Sequence, residues 1–202
     1  MKREKLNYWR DWVVFSISRK RYGGIQLKVV ELLQIVSAIR SSANCRLLVF
    51  GTGYDSPFWN RINRKGSTIF LEDYEPWFEK ISLKYPDLEA YLVSYPCNMT
   101  QWKEVIDKPE RLTIALPETV KNEKFDVILV DGPRGHRFTD DQPGRMSSIY
   151  MASQLVERGG YVFVHDAERE VERTYSSKYL GEDHLAGEVR GRALLRVFHF
   201  PE

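Results

Sequence analysis

Residues 47–59 read LLVFGTGYDSPFW, and the fold turns on them. Residues 47–50 are apolar at every position, without the alternation of a strand that keeps one face in water. Such a short run is buried on both faces, the condition of a parallel strand covered by helices. It stops at Gly51-Thr52-Gly53, where missing side chains let the backbone turn tightly and approach a ligand. Upstream, over residues 24–39, Ile25, Val29, Leu32, Leu33, Val36 and Ile39 recur at three- and four-residue steps, which predicts a helix with one buried face.

Downstream the pattern repeats. Residues 68–71 form a second apolar run ending in Glu72-Asp73, a helix is predicted over 76–83, and a third strand over 90–93. After a polar segment at 101–106, a fourth strand over 125–130 closes on Asp131-Gly132-Pro133. A helix over 145–157 follows, with Ile149, Met151, Ala152, Leu155 and Val156 as its apolar positions. Gly159-Gly160 predicts a turn before a fifth strand at 161–164, which ends in His165-Asp166, and 192–200 alternates enough for an edge strand. Strands alternating with helices at this spacing predict an α/β fold with a doubly wound, mostly parallel sheet. The domain is expected over residues 24–202, preceded by an extension at 1–23.

Composition narrows the classes. The 202 residues suit one domain, and 43% hydrophobic with 29% charged residues excludes long disorder or a collagen-like chain. Five Trp read first as core material. Cys45 and Cys97 are too few for a disulfide framework or a thiolate metal site and point to a reducing compartment. Thirty basic against 28 acidic residues leave a net charge of +2, which argues against nucleic acid as a partner. The basic runs KREK and SRKRYGG read as solvated. No run approaches the ~18 apolar residues of a membrane span, and WVVFSISRK is too short for a signal segment. The expectation is a soluble, cytoplasmic chain with no membrane partner; the oligomeric state stays open.

In doubly wound sheets ligands bind outside the carboxyl ends of the strands, where the topology changes direction. The candidate cofactor residues all lie at such ends: Gly51, Gly53, Asp55 and Ser56 after the first strand, Glu72 and Asp73 after the second. Glu72 follows the glycine pair by about twenty residues and offers two acceptor oxygens to the two hydroxyls of a ribose, which implies an adenosine cofactor. The third position of a G-x-G-x-x-G fingerprint holds Ser56. A dinucleotide needs that helix N-terminus for its pyrophosphate, whereas S-adenosylmethionine carries no phosphate. The methyl donor is therefore favoured over a nicotinamide, whose oxidoreductases would also bring a Tyr-Lys pair that is not obvious here.

Six stretches carry a resemblance: LLVFGTGYDSPFW, TIFLEDYEPW, FDVILVDGPRGHRF, QPGRMSSIYMA, YVFVHDAEREVERTYSSKYL and RGRALLRVFHFPE. In order and spacing the chain resembles the DUF579 polysaccharide-biosynthesis family, known best for plant glucuronoxylan 4-O-methyltransferases. DGPRG followed by PGRM and HDxxRxVE is more specific than any glycine loop. The resemblance implies S-adenosylmethionine as donor, the 4-hydroxyl of a glucuronic acid unit as acceptor, and dependence on a divalent cation. The chain departs from the plant pattern at Thr52, Tyr54, Gly132 and His136, so a glucuronic-acid glycan, a nucleotide sugar or another small molecule are all candidate acceptors. A catalytically silent, glycan-binding scaffold is the alternative from another class.

A sugar hydroxyl is a poor nucleophile until it loses its proton, so a base or a metal must assist. Asp131, His165 and Asp166 are placed for either role; oxygen ligands with one imidazole suit Mg, Mn or Co. The same position of residues at these two strand ends is seen by analogy in cation-dependent catechol methyltransferases. Arg134 and Arg145 flank the segment after the fourth strand and could grip a uronate carboxylate in bidentate fashion. His136, Arg137 and Arg169 widen this basic rim, with Glu172 as the ion-pair neighbour of Arg169.

Overall fold

The computed structural model describes residues 25–202. The predicted extension at 1–23, with its basic runs, lies outside the described residues. Helix α1 (Val29–Ser41) leads into β1 (Arg46–Phe50), α2 (Ser56–Ile62), β2 (Ser67–Glu72), α3 (Glu75–Lys84) and β3 (Glu89–Leu92). A connection carrying the short helices α4 (Trp102–Val105) and α5 (Glu118–Lys121) reaches β4 (Phe125–Val130). Then come α6 (Met146–Leu155), β5 (Val156–Val164), α7 (Glu170–Leu180), β6 (Leu185–Arg190) and β7 (Leu194–His199).

One sheet of seven strands runs in the order β3-β2-β1-β4-β5-β7-β6. Strand β7 is antiparallel to both neighbours, and the other pairs are parallel. The apolar run of β1 behaves as its composition demands. Leu48 and Phe50 pack into one core with α6 and α7, while Leu47 and Val49 pack into a second core with α1. Ile128 and Val130 of β4 join the first core, Val127 and Leu129 the second. Each such buried side chain stabilises the fold by about 1.5–3 kcal/mol relative to exposure, so neither face can be left uncovered.

The chain leaves β1 toward β2 on one side and returns to β4 on the other, which opens a crevice at the carboxyl ends of these two strands. The loops there touch. Gly51 has φ +103°, and a Cβ on it would stand 3.1 Å from the Gly132 nitrogen and 3.2 Å from its Cα. Asp131 N donates to Phe50 O at 3.1 Å, so the register of β4 against β1 fixes where Asp131 emerges.

Three expectations need correction. The segment at 192–200 forms β7 but is not the edge: it inserts between β5 and the unforeseen β6. Every residue of β7 from Leu194 to Phe198 is buried, including Arg196, which Glu182 and Glu188 neutralise. The Gly159-Gly160 pair is not a turn before β5 but part of that strand, where the pairing register jumps from Phe125↔Val156 to Val127↔Tyr161. In α1 the buried stripe runs through Ile35 rather than the half-buried Leu33, a change of phase that matters below.

Gly51→Ala is expected to lower the unfolding free energy by about 1–3 kcal/mol, because a side chain there is strained by φ and crowded by Gly132. Urea unfolding checks this; an unchanged midpoint and slope would show that the two loops can part without cost.

Candidate active site

The crevice is a cleft of about 1420 Å³ that takes in the ends of β1, β2, β4 and β5. Single small-molecule sites are typically 300–1,000 Å³, so this one has room for two molecules side by side. Its wall is completed by residues 25–28 ahead of α1 and by Arg192 and Ala193 in the β6–β7 turn.

Its centre is an ion cluster built around Arg145, which caps the N-terminus of α6 and is 5% exposed. The guanidinium donates through Nη1 to His165 O and through Nη2 to Asp131 O at 2.8 Å. Nη2 also stands 2.8 Å from Asp166 Oδ2 and 3.4 Å from Asp131 Oδ1. Asp166 sits at φ 58°, an unusual backbone for a residue with a side chain, and Arg169 Nη2 holds the same carboxylate oxygen at 2.8 Å. Opposite charges on three chain segments thus lock the ends of β4 and β5 together.

His165 lies beside this lock. Its Nδ1 is 2.9 Å from Asp131 Oδ1 and 3.6 Å from Asp166 Oδ1, and its Nε2 is 3.3 Å from Glu31 Oε1. These are close charge contacts rather than well-aligned hydrogen bonds, since both ring nitrogens and Glu31 Oε1 are buried without a partner of good geometry. Burial disfavours the charged ring, but the Asp131 carboxylate at 2.9 Å outweighs it with help from Asp166 and raises His165 above its ordinary 6.5. For Asp131 burial acts upward, yet His165, Arg145 and Arg169 together hold it below 3.8. Of the pair, Asp131 is the accessible member: its side chain is 32% exposed against 8% for His165.

The candidate cofactor residues divide. Glu72 is buried and turned into its own loop: Oε2 accepts from Thr52 N and Oγ1, and Oε1 from the backbone N–H groups of Asp73 and Tyr74. It is a clamp joining the β1 and β2 ends. Asp73 beside it keeps its carboxyl toward the cleft, pushed up to about 7 by burial and by the neighbouring Glu72. Asp55 is pushed up to about 6 by burial and the charge of Asp131, and accepts from Trp59 Nε1 at 3.3 Å. Ser56 is buried and its Oγ accepts from Gly53 N at 2.9 Å, which shapes the glycine turn.

The basic rim is rearranged. Arg145 is buried in the cluster, with its terminal nitrogens engaged by His165 O, Asp131 and Asp166. Arg134 crosses to the other side, its guanidinium 4.4 Å from the centre of the Tyr74 ring. His136 and Arg137 stay exposed, their backbone N–H groups held by Gln142 Oε1. Arg169 pairs with Asp166 and lies 3.7 Å from the fully buried Glu172. Lys28 and Arg192, which the sequence did not single out, are further exposed cations in the lining of the cleft. Glu31 was missed too; the signal was a carboxylate four residues before Ile35, on the buried face of α1.

The donor set does not fit the divalent cation expected from the resemblance. Among the described residues no group of three or more His, Cys, Asp and Glu side chains is arranged to hold a metal. Asp131 and Asp166 share the Arg145 guanidinium, and the His165 nitrogens face Asp131 and Glu31. A fixed organic cation stands where a metal would have to stand.

The pH dependence of stability follows from His165. A group raised on folding contributes fully below its unfolded value and loses that contribution as pH climbs through its folded value. The advantage of the wild type over His165→Gln in urea unfolding is therefore expected to be greatest below pH 6.5 and to shrink at higher pH. Asp131 acts in the opposite sense, its contribution being present above 3.8 and lost as pH falls. An advantage that grew toward alkaline pH would contradict this arrangement.

Comparison with known proteins agrees with the fold. A putative caffeoyl-CoA O-methyltransferase from Staphylococcus aureus superposes with a TM-score of 0.54 at 12% identity, over 92% of this chain and 90% of the other. Glucuronoxylan 4-O-methyltransferase 1 of Arabidopsis thaliana is 36% identical over 178 residues, 78% of this chain and 61% of the relative. Arabinogalactan O-methyltransferase 1 of the same plant is 28% identical, over 87% of this chain and 66% of the relative. The chain thus spans 61% of the length of the first of these plant relatives. The sequence model described as IRX15/IRX15L/GXM matches residues 30–113 and 109–198, nearly all that the structure describes, and the chain belongs to that family.

Proposed function

We propose that this chain is an S-adenosylmethionine-dependent O-methyltransferase whose acceptor is a hydroxyl of a glycan, with a glucuronic acid unit as the first candidate. One observation carries the reading: the Asp131–His165 pair stands, with Asp131 accessible, between a glycine cradle and a cationic wall in a cleft with room for two molecules. The cradle suits an adenosine group: bare backbone at Gly51 lets the β1 and β4 end loops close on one another without a side chain between them, and the Asp73 carboxyl borders the cleft. When bound, the donor supplies an electrophilic methyl group on a sulfonium. The work left to the protein is to orient the acceptor and remove one proton.

Asp131 is the group within reach of the acceptor hydroxyl, and His165 at 2.9 Å shares the proton taken from it. As the hydroxyl oxygen gains the methyl group, the electron pair of the broken sulfur–carbon bond stays on sulfur and the hydroxyl proton goes to the Asp131–His165 pair. Two such coupled groups titrate as a pair, and the pair must lose one proton before it can accept another. Arg145 keeps Asp131 and Asp166 from repelling one another while this occurs. No step passes through a metal. The uronate carboxylate is assigned to Lys28 and Arg192, exposed cations in the lining of the cleft, with Arg192 steadied by Gln26 Oε1 at 2.8 Å. The glucuronoxylan and arabinogalactan relatives support a glycan acceptor.

Titration calorimetry is expected to give heat with S-adenosylmethionine and none with NADH; the reverse would remove the reading. Asp131→Asn should cut kcat by on the order of 10²–10⁴-fold, the usual worth of a general base, while donor affinity is kept. Full activity in that variant would take Asp131 out of the chemistry. Turnover should be indifferent to EDTA, and inhibition reversed by added cation would overturn the metal-free assignment.

A further inference from the structure

We infer that Glu31 is a positioning residue for the base: it holds His165 Nε2 so that Nδ1 is the ring atom offered to Asp131. The inference rests on the O-methyltransferase reading and names a further part of its machinery.

Glu31 lies in the first turn of α1, five helices and five strands before His165 in the chain, and is 0% exposed. Its two oxygens have separate duties. Oε2 accepts from Lys28 N at 2.6 Å and from Arg192 N at 3.2 Å, tying together the two segments that wall the acceptor side of the cleft. A side chain on Gly191 would collide with this carboxylate. Oε1 has no hydrogen-bond partner of good geometry and faces His165 Nε2 at 3.3 Å. Backbone N–H groups alone would be served by a neutral amide, and a buried carboxylate without a charge partner costs several kcal/mol. The polar group that Oε1 faces is His165 Nε2.

The groups acting on His165 come from every element around it: Glu31 from α1, Asp131 from β4, Asp166 beside it and Arg145 from α6, with Asp55 near. Asp131 and Asp166 are already engaged by Arg145. Asp131 Oδ1 and Asp166 Oδ1 both face Nδ1, and Glu31 is the carboxylate that faces Nε2. A carboxylate at Nε2 keeps the proton on that nitrogen, as the buried aspartate of a serine protease does for its histidine. The proton taken from the acceptor hydroxyl then has one place to go, between Nδ1 and Asp131, and the positive ring it creates lies against a negative charge out of water. Because the same side chain binds residues 28 and 192, the acceptor wall and the base share one reference point.

Glu31→Gln tests this. The amide oxygen can still serve the two backbone N–H groups, but its N–H faces Nε2 and drives the ring proton to Nδ1, where the incoming proton must go. Expected in the full-length protein is a fall in kcat on the order of a hundredfold or more, with the donor Kd from calorimetry and the melting temperature close to wild type. Nitrogen-15 spectra of histidine-labelled protein, with His165 assigned through His165→Gln, should show Nε2 protonated in the wild type and unprotonated in Glu31→Gln. Gly191→Ala displaces the carboxylate without removing its charge, and a smaller kcat loss with a shifted His165 signal is expected. Should Glu31→Gln fail to fold, this second variant decides. Wild-type kcat in a folded variant, or an Nε2 proton that persists when Glu31 is changed or displaced, overturns the inference. A wild type that transfers no methyl group would instead sink the functional reading, and the ring spectra would still judge Glu31.

Discussion

The buried guanidinium of Arg145 is what lets the rest of the site exist. Asp131 and Asp166 come from adjacent strands and would repel one another at the mouth of a low-dielectric crevice. Arg145 neutralises them while also donating to the carbonyls of Asp131 and His165, so the carboxyl ends of β4 and β5 are tied by backbone as well as by charge. Removing one partner of such a buried set leaves an uncompensated charge, at a cost of about 3–5 kcal/mol. The left-handed backbone of Asp166 is held by the same pull.

This lock has a chemical consequence. A positive charge that is covalently part of the chain needs no loading step and sits at a fixed distance from Asp131, and together with His165 and Arg169 it holds that carboxyl below its ordinary value against the upward pull of burial. Its reach ends at the cluster, and the outer wall of the cleft carries exposed side chains, Lys28 and Arg192 among them. The donor side is organised by different forces: a glycine turn that only bare backbone permits, the Glu72 clamp between loops, and an arginine stacked on Tyr74 across the opening. The two halves meet at Asp131. Glu172, fully buried with neither oxygen hydrogen-bonded and raised by that burial, stands behind the lock as a stored cost.

Much of this was legible in the sequence. Two-sided burial erases alternation, so LLVF and FDVILV announced parallel strands, and a carboxylate closing such a strand, as Asp131 does, has little structural reason to be there. What failed to show was long-range. Strand order is set by which edges meet in space, so β7 read as an edge although it is enclosed; β6, LAGEVR, mixes Gly and charges and resembles a loop. Arg145 at a helix start reads as a grip for an acceptor carboxylate, and only the converging carboxylates of Asp131 and Asp166 reveal why it is buried. Glu31 was hidden because the stripe of α1 was phased through Leu33; phased through Ile35, the same helix places a carboxylate inside the core.

The central claim is that the Asp131–His165 pair, without a metal, delivers a glycan hydroxyl to a methyl donor. Its most direct test is to incubate the protein, in chelator, with S-adenosylmethionine carrying a carbon-13 methyl group and with glucuronic-acid-bearing xylan oligosaccharides, and to read the product by NMR. The account predicts a labelled methyl ether on a ring hydroxyl of the uronic acid, formed by the wild type and absent with Asp131→Asn. Label appearing on nitrogen or on the carboxylate, or an ether formed equally well by the variant, would contradict it.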